Sequence, residues 1–257
     1  MKWWAMIVIA VLVSCDLSKE VDLEDEDNQE LDPATCGAQV IVDGEYYEQN
    51  GRQYLGDTQD STLRFDITGW SLNVCHVRHG LGRETFQALI SPKYDRVSEV
   101  IDRHDPEESA VVVKDQGNVK VYPLLTLINH EAINDVANGE PIVVVFCYLA
   151  DLVTVYSRNY CNRTLTFGVT GYTYADPNIR GGLESFLLWD RNSESVWWPI
   201  LDQGVSGAFK GYRMVKYNSR EWDIMTMGEI GEKYPDGLVV KKGQTVDPPN
   251  FGKWTGC

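Results

Sequence analysis

The segment VYPLLTLINHEAINDVANGEPIVVVFCYLADLVTVYSR, residues 121–158, combines the strongest structural pattern of the chain with its best candidate chemical groups. Apolar residues recur at helical spacing after Pro123 and predict a helix that ends at Asn138-Gly139. The continuous apolar, β-branched run at residues 142–147 predicts a buried strand, and residues 152–156 predict a second one. We therefore expect a helix packed on a hairpin as the folding nucleus.

Strand and turn signals dominate the rest of the chain. Thr226-Met227-Gly228-Glu229 has the form of a capping box and predicts a helix that ends near Tyr234. With the central stretch, these signals predict a single α+β domain over residues 36–257, β-rich, built from antiparallel strands and hairpins with a few short helices. Further strand pairs are predicted within residues 110–122, around the turn Asp115-Gln116-Gly117, within residues 185–198, and within residues 208–217, around Gly211.

The start of the chain is its most specific signal. Lys2 precedes an apolar run at residues 3–13, and Leu12-Val13-Ser14-Cys15 has the form of a bacterial lipobox. Because the lipobox cysteine carries the lipid after cleavage, we predict a signal peptide over residues 1–14 and lipidation of Cys15. An ordinary secretory signal with a chance cysteine is the alternative. The expected location is the bacterial cell envelope, with the lipid anchor held in a membrane.

Residues 15–35 contain an acidic run. Nine aspartates and glutamates between Asp16 and Asp32 are balanced by Lys19 alone, in a chain of net charge −15. Such a run repels itself and buries nothing, so we predict a disordered tether that acts as a spacer, with a sorting signal as the alternative. The negative charge makes nucleic acid an unfavourable partner.

His130, Glu131 and Cys147 are the candidate catalytic residues. An imidazole lowers the pKa of a neighbouring thiol, and both groups bind Zn or Cu. His130 and Cys147 are therefore either an activated thiolate pair or half of a metal site, with Glu131 as an orienting carboxylate or base. The alternative is a histidine that caps a helix or satisfies a core contact, beside an inert buried cysteine.

Several ordered blocks between Glu84 and Val240 resemble the uncharacterised DUF3179 family. Their order and spacing match, and the resemblance implies a family-like core over about residues 84–240. Because the family has no established reaction, the resemblance implies no mechanism. The blocks are Ala88-Leu89-x-x-Pro92-Lys93-Tyr94, Val121-Tyr122-Pro123-Leu124, Asn129-His130-Glu131-x-Ile133-Asn134-Asp135, Val143 to Cys147, Leu165-Thr166-Phe167-Gly168-Val169-Thr170-Gly171 and Trp189-Asp190-Arg191-x-x-Glu194-Ser195-x-Trp197.

The resemblance also implies a thiol site at the end of the central strand, where family members typically carry Cys-Pro-x-Cys. This chain has Cys147-Tyr148-Leu149-Ala150 instead. A second thiol resolves a mixed disulfide, and two thiolates from one turn bind a soft metal, so Cys147 alone supports neither chemistry. The thiol site is therefore expected to be degenerate.

Five cysteines remain after Cys15, and in an oxidising envelope an odd number leaves one thiol unpaired. Cys147 lies in the family-like core, so we predict that Cys147 is the free thiol. Of the three pairings open to the other four, we favour residue 36 with 257 and residue 75 with 161, because a disulfide between the chain ends is often useful. These disulfide candidates are Cys36, Cys75, Cys161 and Cys257.

Cys75, His76 and His79 form a weaker candidate metal cluster, because one thiolate and two imidazoles lie within five residues. The cluster lacks a recognisable second half, and the glycines that follow it indicate a loop. A disulfide at Cys75 with exposed histidines is the favoured interpretation.

Trp189, Trp197 and Trp198 give the region around residue 190 a high aromatic density. Such residues either line the floor of a cleft for a sugar or peptide, or belong to the core. Because they lie in predicted alternating strands, the core is favoured.

The chain contains no Gly-x-Ser-x-Gly elbow, no His-Glu-x-x-His motif and no phosphate-binding glycine pattern. Two functions therefore stay open. The favoured one is an envelope lipoprotein that binds a small molecule or protein partner and has a degenerate thiol site. The other is a metal- or thiol-dependent envelope enzyme or metallochaperone that uses His130 and Cys147, with Zn or Cu as the expected cofactor.

Overall fold

The computed structural model describes residues 45–79, 81–83, 85–245, Trp254 and Cys257. The predicted signal peptide, the acidic tether, Cys15 and Cys36 lie outside the described residues and stay predictions. The described residues belong to one compact unit, Leu31–Cys257.

Strands dominate the described residues, as the apolar runs predicted. Three short α-helices accompany them: α1 (Val97–Val100), α2 (Leu124–Leu127) and α3 (Met227–Lys233). The strands are β1 (Tyr46–Gln49), β2 (Arg52–Gly56), β3 (Arg64–Asp66), β4 (Val77–His79), β5 (Leu89–Ile90), β6 (Tyr94–Arg96), β7 (Ser109–Asp115), β8 (Asn118–Pro123), β9 (Ala132–Ala137), β10 (Glu140–Cys147), β11 (Leu152–Ser157), β12 (Asn159–Tyr160), β13 (Arg163–Thr164), β14 (Phe167–Tyr174), β15 (Ser185–Asp190), β16 (Val196–Trp198), β17 (Gln203–Gly204), β18 (Trp222–Thr226) and β19 (Leu238–Val240).

Five sheets collect the strands that the structure describes. Their orders are β1-β2-β3, β11-β10-β9-β5, β12-β13, β17-β16-β15-β14-β4 and β18-β7-β8-β19-β6. Neighbouring strands are antiparallel except in the pairs β5–β9 and β8–β19, which are parallel. The prediction of a β-rich α+β domain with mainly antiparallel strands is confirmed.

The first half of the central stretch folds differently from its prediction. Helix α2 ends at Leu127, and Ala132–Ala137 is strand β9, so the predicted helix up to Asn138 is wrong. Asn138 and Gly139 have φ values of 51° and 77°, which suit a two-residue hairpin turn. The Asn-Gly pair therefore joins β9 to β10 instead of ending a helix.

The second half of the stretch forms the predicted hairpin, β10 with β11. Strand β10 lies between β9 and β11, and residues Ile142–Cys147 are all buried. Because successive strand residues point to opposite faces, Val143, Val145 and Cys147 pack in one core cluster while Val144 and Phe146 pack in another. Burial on both faces explains why the run is continuously apolar.

Of the other predictions made from turn and capping residues, three are confirmed and one is wrong. Strands β7 and β8 form the predicted hairpin, and β15 pairs with β16 as expected. Helix α3 begins after Thr226, whose side chain forms the predicted capping box with Glu229. The strand pair predicted within residues 208–217 is wrong, because this segment contains a 3-10 turn at Gly207–Phe209 and only isolated bridges.

A disulfide joins Cys161 to Cys257, with Cα atoms 5.6 Å apart. It ties the end of the chain to the turn between β12 and β13. The favoured pairing of residue 75 with 161 and residue 36 with 257 is therefore wrong. Cys161 and Cys257 are far apart in sequence, so only the fold brings them together.

Candidate functional site

Glu131 and Cys147 are brought together by the junction between α2 and β9. Three residues after α2 the chain reverses, and Glu131 has a φ of 55°, which is uncommon for a residue with a side chain. The N–H of Phe146 donates a 3.0 Å hydrogen bond to the carbonyl of Glu131. This bond holds Glu131 beside the end of β10, where Cys147 is the last residue.

The carboxyl group of Glu131 has no hydrogen-bond or ion-pair partner among the described residues. Its burial raises the pKa of Glu131 to about 7, because a desolvated carboxylate disfavours its charged form. Glu131 can therefore gain or lose a proton near neutral pH. Buried carboxyls are usually paired, which makes this group the most unusual acid of the central stretch.

Cys147 is a free thiol, as predicted, and only 1% of it is exposed. Burial raises the pKa of Cys147, the backbone amides of Phe186, Ala150 and Leu149 lower it, and the charge of Glu131 raises it. Because the net shift is upward from a value already above 7, the thiol is protonated at neutral pH. A protonated, buried thiol is a poor nucleophile.

His130 precedes Glu131 in the chain, but its side chain contacts the backbone of Gln87 and not Cys147. Its Nδ1 lies 2.7 Å from the carbonyl oxygen of Gln87, so this nitrogen carries the proton and donates. Among the described residues, no hydrogen bond links His130 with Cys147. The structure thus places Cys147 near the charge of Glu131 and fixes His130 on the chain preceding β5.

The candidate metal ligands do not form a cluster in the part of the chain that the structure describes. There, no group of three or more His, Cys, Asp or Glu side chains is arranged to hold a metal ion. Cys75 is disulfide-bonded, so its sulfur is not a free thiolate. The Nδ1 of His76 lies 3.3 Å from the carbonyl oxygen of Ala175.

The three tryptophans near residue 190 belong to the core. Trp197 and Trp198 are fully buried, and Trp189 is 4% exposed. Their indole N–H groups are used internally, since Trp197 donates to Asp190 and Trp198 donates to Ser185. These residues therefore belong to the core and do not line an open cleft. The favoured interpretation is confirmed.

Sequence reasoning missed a buried polar network around Asp135. The hydroxyls of Tyr94 and Tyr122 both donate to Oδ2 of Asp135, the latter at 2.6 Å, and Nζ of Lys120 lies 3.2 Å from Oδ1. The network connects β6 and β8 of one sheet to β9 of another. Tyr94, Tyr122 and Asp135 all lie in the blocks that resemble the family. Their place in these blocks was the one signal in the sequence that could have pointed to the network.

Sequence reasoning also missed a surface cavity of about 540 Å³, here called the polar pocket, for which the sequence gives no signal. It lies between the turn after β2 and the loop before residue 85. Burial and then the neighbouring Glu45 carboxylate raise the pKa of Tyr172, whose hydroxyl donates to that carboxylate. The polar groups of the lining are Glu45, Asp57, Thr58, Gln59, Arg83, Thr85 and Tyr172.

Arg83 forms a fixed wall of the polar pocket. Its guanidinium lies 3.9 Å from the ring centre of Trp189 and 4.6 Å from that of Phe65. It also donates to the carbonyl of Arg64 at 2.9 Å and to Glu194 at 3.4 Å. The positive charge of Arg83 is thus largely engaged by the protein. Glu45 also accepts a hydrogen bond from Tyr172, and Oδ1 of Asp57 accepts from two backbone N–H groups.

Comparison with known proteins gives the family of the chain but no activity. Within the described residues, no helix has the length and apolar character needed to cross a membrane. No curated protein and no solved structure matches the chain. The family model described as "Protein of unknown function (DUF3179)" matches residues 83–252, which extends the expected core toward the C-terminus. The chain therefore belongs to the DUF3179 family.

Proposed function

We propose that this protein is a lipid-anchored envelope protein whose domain binds a small polar ligand in the polar pocket. The observation that carries the proposal is the pocket itself, because about 540 Å³ lies within the volume range of small-molecule sites and several polar groups line it. The lipobox ending at Cys15 supports the anchor. The buried, protonated thiol of Cys147 supports a binding role over thiol chemistry.

The lining of the polar pocket indicates the class of ligand. Glu45 and Asp57 supply carboxylate oxygens, and Thr58 and Gln59 supply neutral polar groups. Arg83 is already held by aromatic rings and a carbonyl, so it contributes little free positive charge. The complementary ligand is one that donates hydrogen bonds through hydroxyl or ammonium groups.

The binding proposal is tested by thermal unfolding with three probes: glucose, glucosamine and ethanolamine. A ligand that binds only the folded state raises the unfolding temperature. We expect at least one probe at millimolar concentration to stabilise the wild-type protein, and the Thr58→Tyr variant, which fills the pocket, to lose the effect. Ser61→Tyr places the same side chain on the same exposed loop outside the pocket and should keep it. Failure of all three probes to stabilise the wild type would overturn the proposed ligand class.

The anchor is tested separately. Cys15→Ala removes the only predicted attachment point, so metabolic labelling with a fatty-acid analogue should mark the wild-type protein and not the variant. Label that persists in Cys15→Ala would contradict the proposed lipidation.

The unpaired carboxyl of Glu131 favours a second candidate function, a thiol-dependent enzyme. In this function Glu131 accepts the proton of Cys147 as the sulfur bonds to an electrophilic carbon of the substrate and displaces a leaving group, which departs with its bonding electrons. Rapid alkylation of Cys147 by iodoacetamide in the native protein, slowed in Glu131→Gln, would support it. The related metal-dependent role of His130 and Cys147 would be supported only by stoichiometric Zn or Cu in elemental analysis that is lost in His130→Ala and in Cys147→Ser.

A further inference from the structure

A second, smaller cavity carries positive charge, and it lies apart from both the polar pocket and Glu131. Its volume is about 170 Å³, and we call it the basic cavity. It lies between the 3-10 turn that follows α1 and the end of β19, over a floor of three valines. Its charged and titratable lining residues are Asp95, Arg103, His104, Lys241 and Lys242.

The charges of the basic cavity do not cancel. Lys241 has its Nζ 3.5 Å from a carboxylate oxygen of Asp95. Arg103 and Lys242 have no carboxylate within ion-pair distance among the described residues. In a chain of net charge −15, two uncompensated cations around one small cavity are a local reversal of charge.

His104 gives the basic cavity a fixed polar group. Its side chain is only 5% exposed, and its Nδ1 lies 2.8 Å from Oε2 of Glu108, which is 3% exposed. The other oxygen of Glu108 is buried without a hydrogen-bond partner, so the carboxylate is directed at the imidazole alone. The ring lines the cavity, and its Nε2 has no partner in the described residues. The contact with Glu108 holds the His104 ring in one orientation beside the cavity.

We propose that the basic cavity is a binding site for a phosphate group. Arg103 and Lys242 supply the charge, and His104, held in place by Glu108, forms part of the lining. Guanidinium and ammonium groups are the usual ligands of phosphate oxygens. The cavity volume suits a single phosphate group and excludes a whole nucleotide. The phosphate is either free or the head group of a phospholipid.

The direct test is calorimetric titration of the full soluble domain with inorganic phosphate. The variant Arg103→Gln/Lys242→Gln removes two exposed cations of the lining, and it should weaken binding about tenfold or more. Arg220→Gln/Lys233→Gln removes two cations outside the cavity and gives the same net charge, so its affinity should stay within about twofold of the wild type. Equal weakening in both variants, or no binding by the wild type at millimolar phosphate, would overturn the proposal.

The source of the phosphate is resolved with vesicles. Phosphatidylcholine vesicles that contain phosphatidic acid present the same phosphate group at a membrane surface. If the cavity holds a lipid head group, the protein binds these vesicles, inorganic phosphate displaces it, and the Arg103→Gln/Lys242→Gln variant binds less. If the site takes free phosphate, the titration is positive while the vesicles recruit no protein. Vesicle binding unaffected by inorganic phosphate, with a negative titration, contradicts the site.

Discussion

Glu131 and Asp135 are two carboxyl groups at either end of the same short segment, and they have opposite environments. Asp135 is 7% exposed and accepts hydrogen bonds from two tyrosine hydroxyls and a lysine. Glu131 is only partly buried, has no partner among the described residues, and has a pKa raised to about 7. The comparison shows that the supply of partners, more than the depth of burial, decides whether a carboxylate stabilises the fold or can exchange a proton.

Arg158 adds backbone contacts to the network around Asp135. Arg158 is buried, and its guanidinium donates to the carbonyl of Asp135 at 3.0 Å and to that of Leu165 at 2.8 Å. Burial lowers the pKa of Arg158 to about 10, which leaves it charged at neutral pH. Asp135 therefore lies where a tyrosine pair, a lysine and an arginine meet: its carboxylate faces the partly buried Lys120, and its backbone carbonyl accepts from the buried Arg158.

Replacing Asp135 should have the largest effect. Asp135→Asn removes the charge opposite Lys120 and a strong acceptor of two hydroxyls, so the free energy of unfolding should fall by about 3–5 kcal/mol. Urea denaturation measures this change. Asp223→Asn, on an exposed position of β18, is the matched control and should change stability by about 0.5 kcal/mol or less. A loss as small as that of the control would show that the network contributes little.

Glu131→Gln should act in the opposite direction and depend on pH. A folded-state pKa of about 7, raised from 4.5, means that the folded protein binds a proton more tightly than the unfolded chain does. Wild-type stability is therefore lost as the pH rises from about 4.5 to about 7. Because the glutamine side chain carries no charge, the Glu131→Gln variant should be more stable than the wild type at pH 8, by about 2 kcal/mol after solvent screening, and nearly equal at pH 4.5.

Chemical denaturation at several pH values provides the measurement. Glu232→Gln, on the exposed side of α3, is the matched control and should leave the pH dependence unchanged. A Glu131→Gln variant that is less stable than the wild type at every pH would mean that the carboxylate has a stabilising partner.

The sequence predicted the parts of the fold that depend on local signals. The hairpins β7–β8 and β10–β11 follow from apolar runs and turn residues, and helix α3 follows from Thr226 and Glu229. Strand β9 was missed because the apolar residues up to Ile133 also fit a helical spacing. Only pairing with β10 selects the strand, and that pairing is a tertiary contact.

The candidate site was also predicted only in part, because local signals identify single residues while tertiary contacts bring them together. Cys147 as the free thiol follows from cysteine arithmetic, and Glu131 lies in the same central stretch of the sequence. The pairing of Cys161 with Cys257 could not be deduced, since four cysteines allow three connectivities. The polar pocket combines residues 45–85 with Tyr172, and such groupings depend on sheet order, which one sequence does not contain.

Cys147→Ala should have the smallest effect, and it tests whether the thiol belongs to the chemistry of Glu131 or to the core. Cys147 points into a cluster with Val145 and Phe186, so removing its sulfur should cost about 1 kcal/mol of lost packing. The reactivity of the thiol is a separate test. Because the thiol is buried and its pKa is raised, iodoacetamide should react with Cys147 in the native wild-type protein far more slowly than with free cysteine at neutral pH. In urea the two rates should be equal. Mass spectrometry locates the modified residue. Glu131→Gln removes a charge that raises the pKa of Cys147, so native alkylation should be slightly faster in that variant. Native alkylation that is rapid in the wild type and slower in Glu131→Gln would reverse the assignment, and would make Glu131 a base that acts on the thiol.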